Sequence, residues 1–108
     1  MKAIVVYESL WGNAAAVARA IAEGIGPGTW AMTAAEATEA MVVDADLVVA
    51  GAPVIQFRLP TDTARAMLGT NPGNAPRPPD LSGPSLRAWL AALPAGHPRS
   101  AAYETRIW

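Results

Sequence analysis

Residues 3–24 read AIVVYESLWGNAAAVARAIAEG, and they decide the fold. Ala3-Ile4-Val5-Val6-Tyr7 is a short, unbroken apolar run rich in β-branched residues. Such a run reads as a strand buried on both faces, the signature of a parallel sheet. Beyond it, Ala14, Val17, Ala18, Ile21 and Ile25 recur at helical spacing, with Arg19 and Glu23 on the opposite face. That periodicity predicts an amphipathic helix. Between strand and helix stands YESLWGNA (residues 7–14), a loop with a hydroxyl, a glycine and an asparagine but no lysine or arginine.

Further along, Gly24-Ile25-Gly26-Pro27-Gly28 carries the chemistry of a helix stop. Thr29 to Thr33 reads as a second strand, and residues 34–41, rich in alanine and glutamate, as a short helix. Asp44 and Asp46 bracket the start of a buried strand over Leu47 to Gly51, which Gly51-Ala52-Pro53 is expected to break. Thr61 or Asp62 can cap a helix running to about Leu68. Residues 69–80 contain prolines 72, 76, 78 and 79 and predict a loop. Pro84 suits the first position of another helix, after Ser82 or Gly83. Leu86, Trp89, Leu90 and Leu93 form its apolar stripe, with Trp89 expected in the core. Ser100 to Thr105 reads as a fourth strand.

Strands alternating with helices imply βαβ units on a parallel sheet. Right-handed crossovers then favour a doubly wound α/β fold formed by residues 1–108 as one domain. In such folds ligands sit outside the carboxyl ends of the strands.

Composition narrows the function. The chain has 108 residues, enough for one core, and its 52% hydrophobic content argues for a folded domain. A formal net charge of −1 gives no basis for binding nucleic acid or an anionic membrane. With no cysteine, a disulfide framework and a thiolate metal site are both ruled out. No apolar run approaches the roughly 20 residues of a membrane span, and the N-terminal run is too short for a signal segment. A cytoplasmic location is the expectation.

The loop over residues 7–14 lies where a strand ends and a helix begins. A helix N-terminus offers unpaired N–H groups and partial positive charge, which suit phosphate. Backbone donors of this kind make a lysine or arginine unnecessary. Gly12 permits close approach of the backbone, and Ser9 and Asn13 add side-chain donors. Other features are plainer. Gly24-x-Gly26-x-Gly28 follows a helix rather than a strand, so it reads as a stop and not as a dinucleotide loop. His97 stands alone in a turn. Glu8 and Asp62 are carboxylates without a visible mate, which leaves acid–base catalysis unsupported.

These segments resemble the flavodoxin family. MKAIVVYESLWGNAAAVARAIAEG is similar to its N-terminus, GAPVIQFRLP to its second flavin loop, and AAYETR to the segment before its third. SLRAWLAAL fits between the last two, so the resemblance spans nearly the whole chain. It implies an FMN-binding electron-transfer protein that docks with a redox partner protein and has no dedicated catalytic residue. By position, Ser9, Leu10, Trp11, Gly12, Asn13 and Ala14 would cradle the phosphate. Pro53, Val54, Ile55, Gln56 and Phe57 would flank the ring on one side, and Thr105, Arg106, Ile107 and Trp108 would approach it from the other.

Departures from the family pattern bear on these expectations. Trp11 stands at the loop's third position, and Ala14 replaces its final threonine. Losing a hydrogen bond to a charged group costs about 1.5–3 kcal/mol, enough to weaken phosphate binding tenfold or more. Val54 and Ile55 replace the usual Thr and His or Tyr. The family's final strand and helix are lacking, which makes the domain C-terminally incomplete relative to the family. Apolar surface left without that cover predicts self-association through the uncovered sheet face. Together the departures keep open a cofactor-free interaction or regulatory domain. A quinone reductase of the same fold is a minor alternative, with no identifiable quinone pocket. A receiver domain is rejected, because Gly51 occupies the acceptor aspartate's place.

Overall fold

The computed structural model describes residues 1–55, 58–70, 78–93 and 99–106. Its elements alternate: β1 (Ala3–Tyr7), α1 (Asn13–Ile25), β2 (Trp30–Thr33), α2 (Glu39–Asp44), β3 (Leu47–Pro53), α3 (Asp62–Thr70), α4 (Leu86–Ala92) and β4 (Arg99–Thr105). The four strands form one parallel sheet in the order β2-β1-β3-β4. The chain therefore steps one way from β1 to β2, then crosses back over β1 to reach β3. Connections of one hand that run in opposite directions put their helices on opposite faces.

The core follows the alternation of side chains along β1 and β3. Val5 and Val49 face α1, where Ala18 and Ala22 pack on them. Ile4, Val6 and Val48 face the other way, against Val42 of α2 and Leu86 and Trp89 of α4. Because both faces are covered, the two strands are apolar at consecutive positions rather than at alternate ones.

Several boundaries differ from the sequence expectation, each for a physical reason. The buried face of α1 consists of Ala14, Ala15, Ala18 and Ala22, whereas Val17 is 37% exposed. Small side chains let the helix lie close to the sheet, and the larger Ile21 and Ile25 flank the contact. Residues 34–36 form a turn, not a helix. Thr33 Oγ1 donates to Glu36 Oε1 (2.9 Å), which also accepts the Thr33 N–H (2.9 Å). The helix starts later, at Glu39, where the Thr38 hydroxyl accepts the Met41 N–H at 3.3 Å. Asp44 closes that helix, and its carboxylate pairs with Lys2 Nζ at 2.5 Å. Helix α4 starts at Leu86 with Ser85 as its cap, two residues beyond Pro84.

Strand β3 does not break at Gly51. It runs on to Pro53, with Gly51, Ala52 and Pro53 opposite Tyr103, Glu104 and Thr105. The glycine serves the face of the sheet. A Cβ at position 51 would lie 2.0 Å from the Tyr103 ring, so Gly51 makes room for that ring to cross the strand. Strand β4 forms one edge of the sheet, and Arg99 to Ala102 are exposed. Among the described residues, no helix is long and apolar enough to cross a membrane.

Candidate functional site at the carboxyl ends of the strands

Residues 8–12 link β1 to α1. Gly12 adopts the left-handed conformation (φ 97°) and sits at the N-cap position of α1. A residue with a side chain is strained there, which fits the glycine. The Gly12 N–H donates to Ser9 Oγ at 3.0 Å, and this bond closes the loop. In accepting it, the Ser9 hydroxyl keeps its own proton for another partner. No side chain caps α1, and its first turn carries no acidic residue. The leading amides thus stand at the positive end of the helix with no acidic side chain in its first turn.

The loop is fixed from two directions. Leu10 is buried and its carbonyl accepts the Asp80 N–H at 2.8 Å. The Ala14 carbonyl accepts the Tyr103 hydroxyl at 2.7 Å, tying α1 to β4. Burial pushes the Tyr103 phenol up to about 12, with the neighbouring Tyr7 adding to the shift. The phenol therefore stays protonated and keeps donating through the neutral range.

Most of the loop meets the ends of β3 and β4. Ser9, Leu10, Trp11, Asn13, Ala14, Pro53 and Thr105 line one notch of about 10 Å³, a volume of the order of one water. Segments expected to share a site from the sequence are thus brought together across 96 residues of chain, from Ser9 to Thr105. The Val54 N–H donates to the Thr105 carbonyl at 2.9 Å, extending the ladder one residue past β3. Ile55 and Arg58 exchange backbone hydrogen bonds of 2.9 and 3.2 Å as an isolated antiparallel bridge. Gln56, Phe57, Ile107 and Trp108 lie outside the described residues. Arg106 turns back on its own strand, its Nε donating to Glu104 Oε1 at 2.6 Å, and is not among the residues lining the notch.

A buried ion pair beneath the loop was not legible as such in the sequence. Glu8 is not a carboxylate without a mate: its Oε2 accepts from Arg65 Nη1 at 2.6 Å. Its Oε1 accepts the Leu86 N–H at 2.9 Å, at the start of α4. Arg65 Nη2 donates to the carbonyls of Gly83 (2.6 Å) and Leu81 (3.3 Å). One pair thereby joins β1, α3 and the segment leading into α4. The two residues are 57 apart in sequence, and neither has a periodic or spacing signal that points to the other. Every charge-bearing oxygen of Glu8 has a partner, which is what a buried carboxylate requires.

On the β2 side the same loop borders a second cavity, a cleft of about 500 Å³. Arg19, Thr33, Asp80 and Ser82 are among its walls. Asp80 Oδ1 accepts both the hydroxyl (2.6 Å) and the N–H (3.0 Å) of Ser82, and these bonds lower its carboxyl below the ordinary value. Bonds from Thr33 likewise lower the Glu36 carboxyl. Among the described residues no group of histidine, aspartate and glutamate side chains is arranged to hold a metal ion.

No protein-family model matches this chain, and no curated protein or solved structure shows significant similarity to it.

Proposed function

We propose that this chain is a flavodoxin-like, doubly wound α/β protein that binds FMN and carries electrons. The observation that carries the reading is the convergence of Ser9, Leu10, Trp11, Asn13 and Ala14 with Pro53 and Thr105 on one notch at the carboxyl ends of adjacent parallel strands. That strand order is shared with the first four strands of the flavodoxin-like topology, whose ligands gather beside the first and third strands.

The donor set fits a phosphate. An uncapped helix start, a left-handed glycine and a serine with its proton to spare are neutral groups that together favour a dianion. In this reading the first-turn amides and Ser9 hold the phosphate. Pro53, Val54 and Ile55 form an apolar wall that keeps water from one side of the ring and disfavours added negative charge on it. Thr105 closes the opposite side. The flavin, when bound, supplies the one- and two-electron chemistry, and the chain contributes binding, orientation and screening. A redox partner protein is the corresponding docking partner.

The visible spectrum of the purified protein and its titration with FMN test this reading. The expected outcome is flavin absorption that co-purifies, or saturable binding that raises the melting temperature. Protein that stays colourless and thermally unmoved by excess FMN overturns it.

One observation favours a second reading, a cofactor-free interaction domain. The notch is small, and the Tyr103 ring already lies across Gly51 beside it. A notch of about one water's volume leaves no room for a flavin ring, and Ala14 offers a phosphate no side-chain donor. The same titration separates the two.

A further inference from the structure

Strand β4 pairs with β3 on one side only. The Thr105 carbonyl accepts the Val54 N–H, so the backbone groups of Thr105 point toward β3. Successive residues of a strand direct their backbone groups to opposite sides. Those of Arg99, Ala101 and Tyr103 therefore also point toward β3, and those of Ser100, Ala102 and Glu104 point out from the sheet. Edges of this kind are ordinarily blunted by proline, a bulge or a lysine. β4 reads RSAAYET and keeps unbroken register with β3 over its seven residues, so it has none of the three. Its middle, Ser100 to Ala102, is small, uncharged and exposed.

The surface beside the edge is apolar. A groove of about 350 Å³ lies between α4 and β4, with Trp89, Leu90 and Leu93 in its wall and Ser100 and Ala102 on its floor. Leu90 is 41% exposed.

The strand is complementary to itself. Antiparallel pairing about a two-fold axis at Ala102 sets Ala102 against its own copy, Ser100 against the partner's Glu104, and Ala101 against the partner's Tyr103. Residues opposite one another in such a pair share a face of the sheet. On the groove face the Ser100 hydroxyl meets a carboxylate whose Oε1 is engaged by Arg106 and whose Oε2 can accept. On the other face a methyl group lies against the larger tyrosine ring. Moving the axis to Ala101 or to Tyr103 sets Ala102 against Ser100 or Glu104 instead, and both matches are lost.

We infer that two copies of this chain pair antiparallel through β4, about a two-fold axis at Ala102. Two four-stranded sheets then become one continuous sheet, joined by the backbone groups of Ser100, Ala102 and Glu104 from each chain. The two grooves merge into one apolar trough above the join, with Leu90 of each chain along it. A two-fold contact uses the same surface on both chains, so it closes at the dimer.

Sedimentation velocity and cysteine cross-linking test the arrangement, the latter cleanly because the chain has no cysteine. The expected mass of the wild type rises with concentration to twice that of one chain and no further. Ala102→Lys sets two like charges across the axis and is expected to weaken association by about tenfold or more. Ala102 is exposed, so this variant keeps its fold, which circular dichroism checks. Under mild oxidation Ala102→Cys should form a disulfide-linked dimer. Hydrogen-bonded antiparallel pairs stand about 5.5 Å apart at Cα, within disulfide reach. Ser100→Cys should not cross-link, because its two copies are offset along the strands by roughly 14 Å. A wild type that is monomeric at every concentration overturns the inference, as does association unchanged in Ala102→Lys. No cross-linking of Ala102→Cys, or equal cross-linking of both cysteine variants, overturns the register at Ala102. Growth beyond two chains overturns the closed two-fold arrangement.

Discussion

The two faces of the sheet are built from opposite materials. On one, four alanines of α1 bring the helix close, and the sheet supplies the bulk through Val5, Val49 and Tyr103. On the other, the helices supply it: Leu86 and Trp89 of α4 and Val42 of α2 reach down to Ile4, Val6 and Val48. The two arrangements fail in opposite ways: the first tolerates addition poorly, and the second tolerates loss poorly. A close-packed contact of small side chains has nothing to remove but no space to fill, whereas a face built on large side chains leaves a cavity when one is cut back.

Truncating Trp89 tests the large-residue face and has the largest expected effect. Trp89 is 8% exposed, and its indole N–H donates to the Ala37 carbonyl at 3.0 Å. Trp89→Ala is expected to destabilise the fold by about 3–5 kcal/mol in urea unfolding. A loss below about 1 kcal/mol would mean that this face does not depend on bulk.

Gly51→Ala tests the close-packed face by addition. With the Tyr103 ring 2.0 Å from the new Cβ, an overpacking cost of about 1–3 kcal/mol is expected. The same substitution in a Tyr103→Ala background should cost much less, because the obstacle has gone. Equal costs in the two backgrounds would show that the ring does not set the requirement for glycine.

A smaller effect is expected of Tyr103→Phe, which keeps the ring and removes only the hydrogen bond to the Ala14 carbonyl. The expected loss is about 0.5–1.5 kcal/mol at neutral pH. It also carries a pH signature. The Tyr103 pKa is pushed up to about 12 from 10.0, so the folded state binds this proton more tightly than the unfolded state. The associated stability is fully present below pH 10 and is lost as pH rises toward 12. Melting temperatures from pH 9 to 12 should fall more steeply for the wild type than for Tyr103→Phe. Parallel profiles would remove Tyr103 as the cause.

The two ion pairs extend the contrast to charge. Lys2–Asp44 is two-thirds exposed on each side, while Glu8–Arg65 is nearly enclosed. Solvent screens the first, so Lys2→Ala should leave the urea midpoint almost unchanged. Such a mutant melting well below the wild type would show that exposure does not govern this pair.

Much of the fold was legible because local patterns carry it. The unbroken apolar runs at Ala3–Tyr7 and Leu47–Ala50 announce strands covered on both faces. The 3.6-residue pattern after Asn13 announces α1, and the glycines at 24, 26 and 28 announce its end. The candidate loop was readable for the same reason, since Ser9, Gly12 and Asn13 sit at a strand-to-helix junction. The buried face of α1 was read correctly at Ala14, Ala18, Ile21 and Ile25 but not at Val17, which is exposed, nor at Ala15, which is buried. Helical periodicity weighs Val17 above Ala15, but the close approach of helix to sheet favours the smaller residue. The reading of Gly51-Ala52-Pro53 as a strand break failed similarly, because local chemistry cannot register that a tyrosine from β4 crosses there.

The sequence by itself determined that this is a parallel α/β protein, and that a loop carrying Ser9, Gly12 and Asn13 joins its first strand to its first helix. Period, branching and turn chemistry act between near neighbours, so they are written along the chain. Tertiary structure alone decided that Glu8 meets Arg65, that Tyr103 holds Ala14, and that Arg19 faces a cleft of about 500 Å³. Those contacts join residues from separate elements, and they exist only once the strand order has brought the elements together.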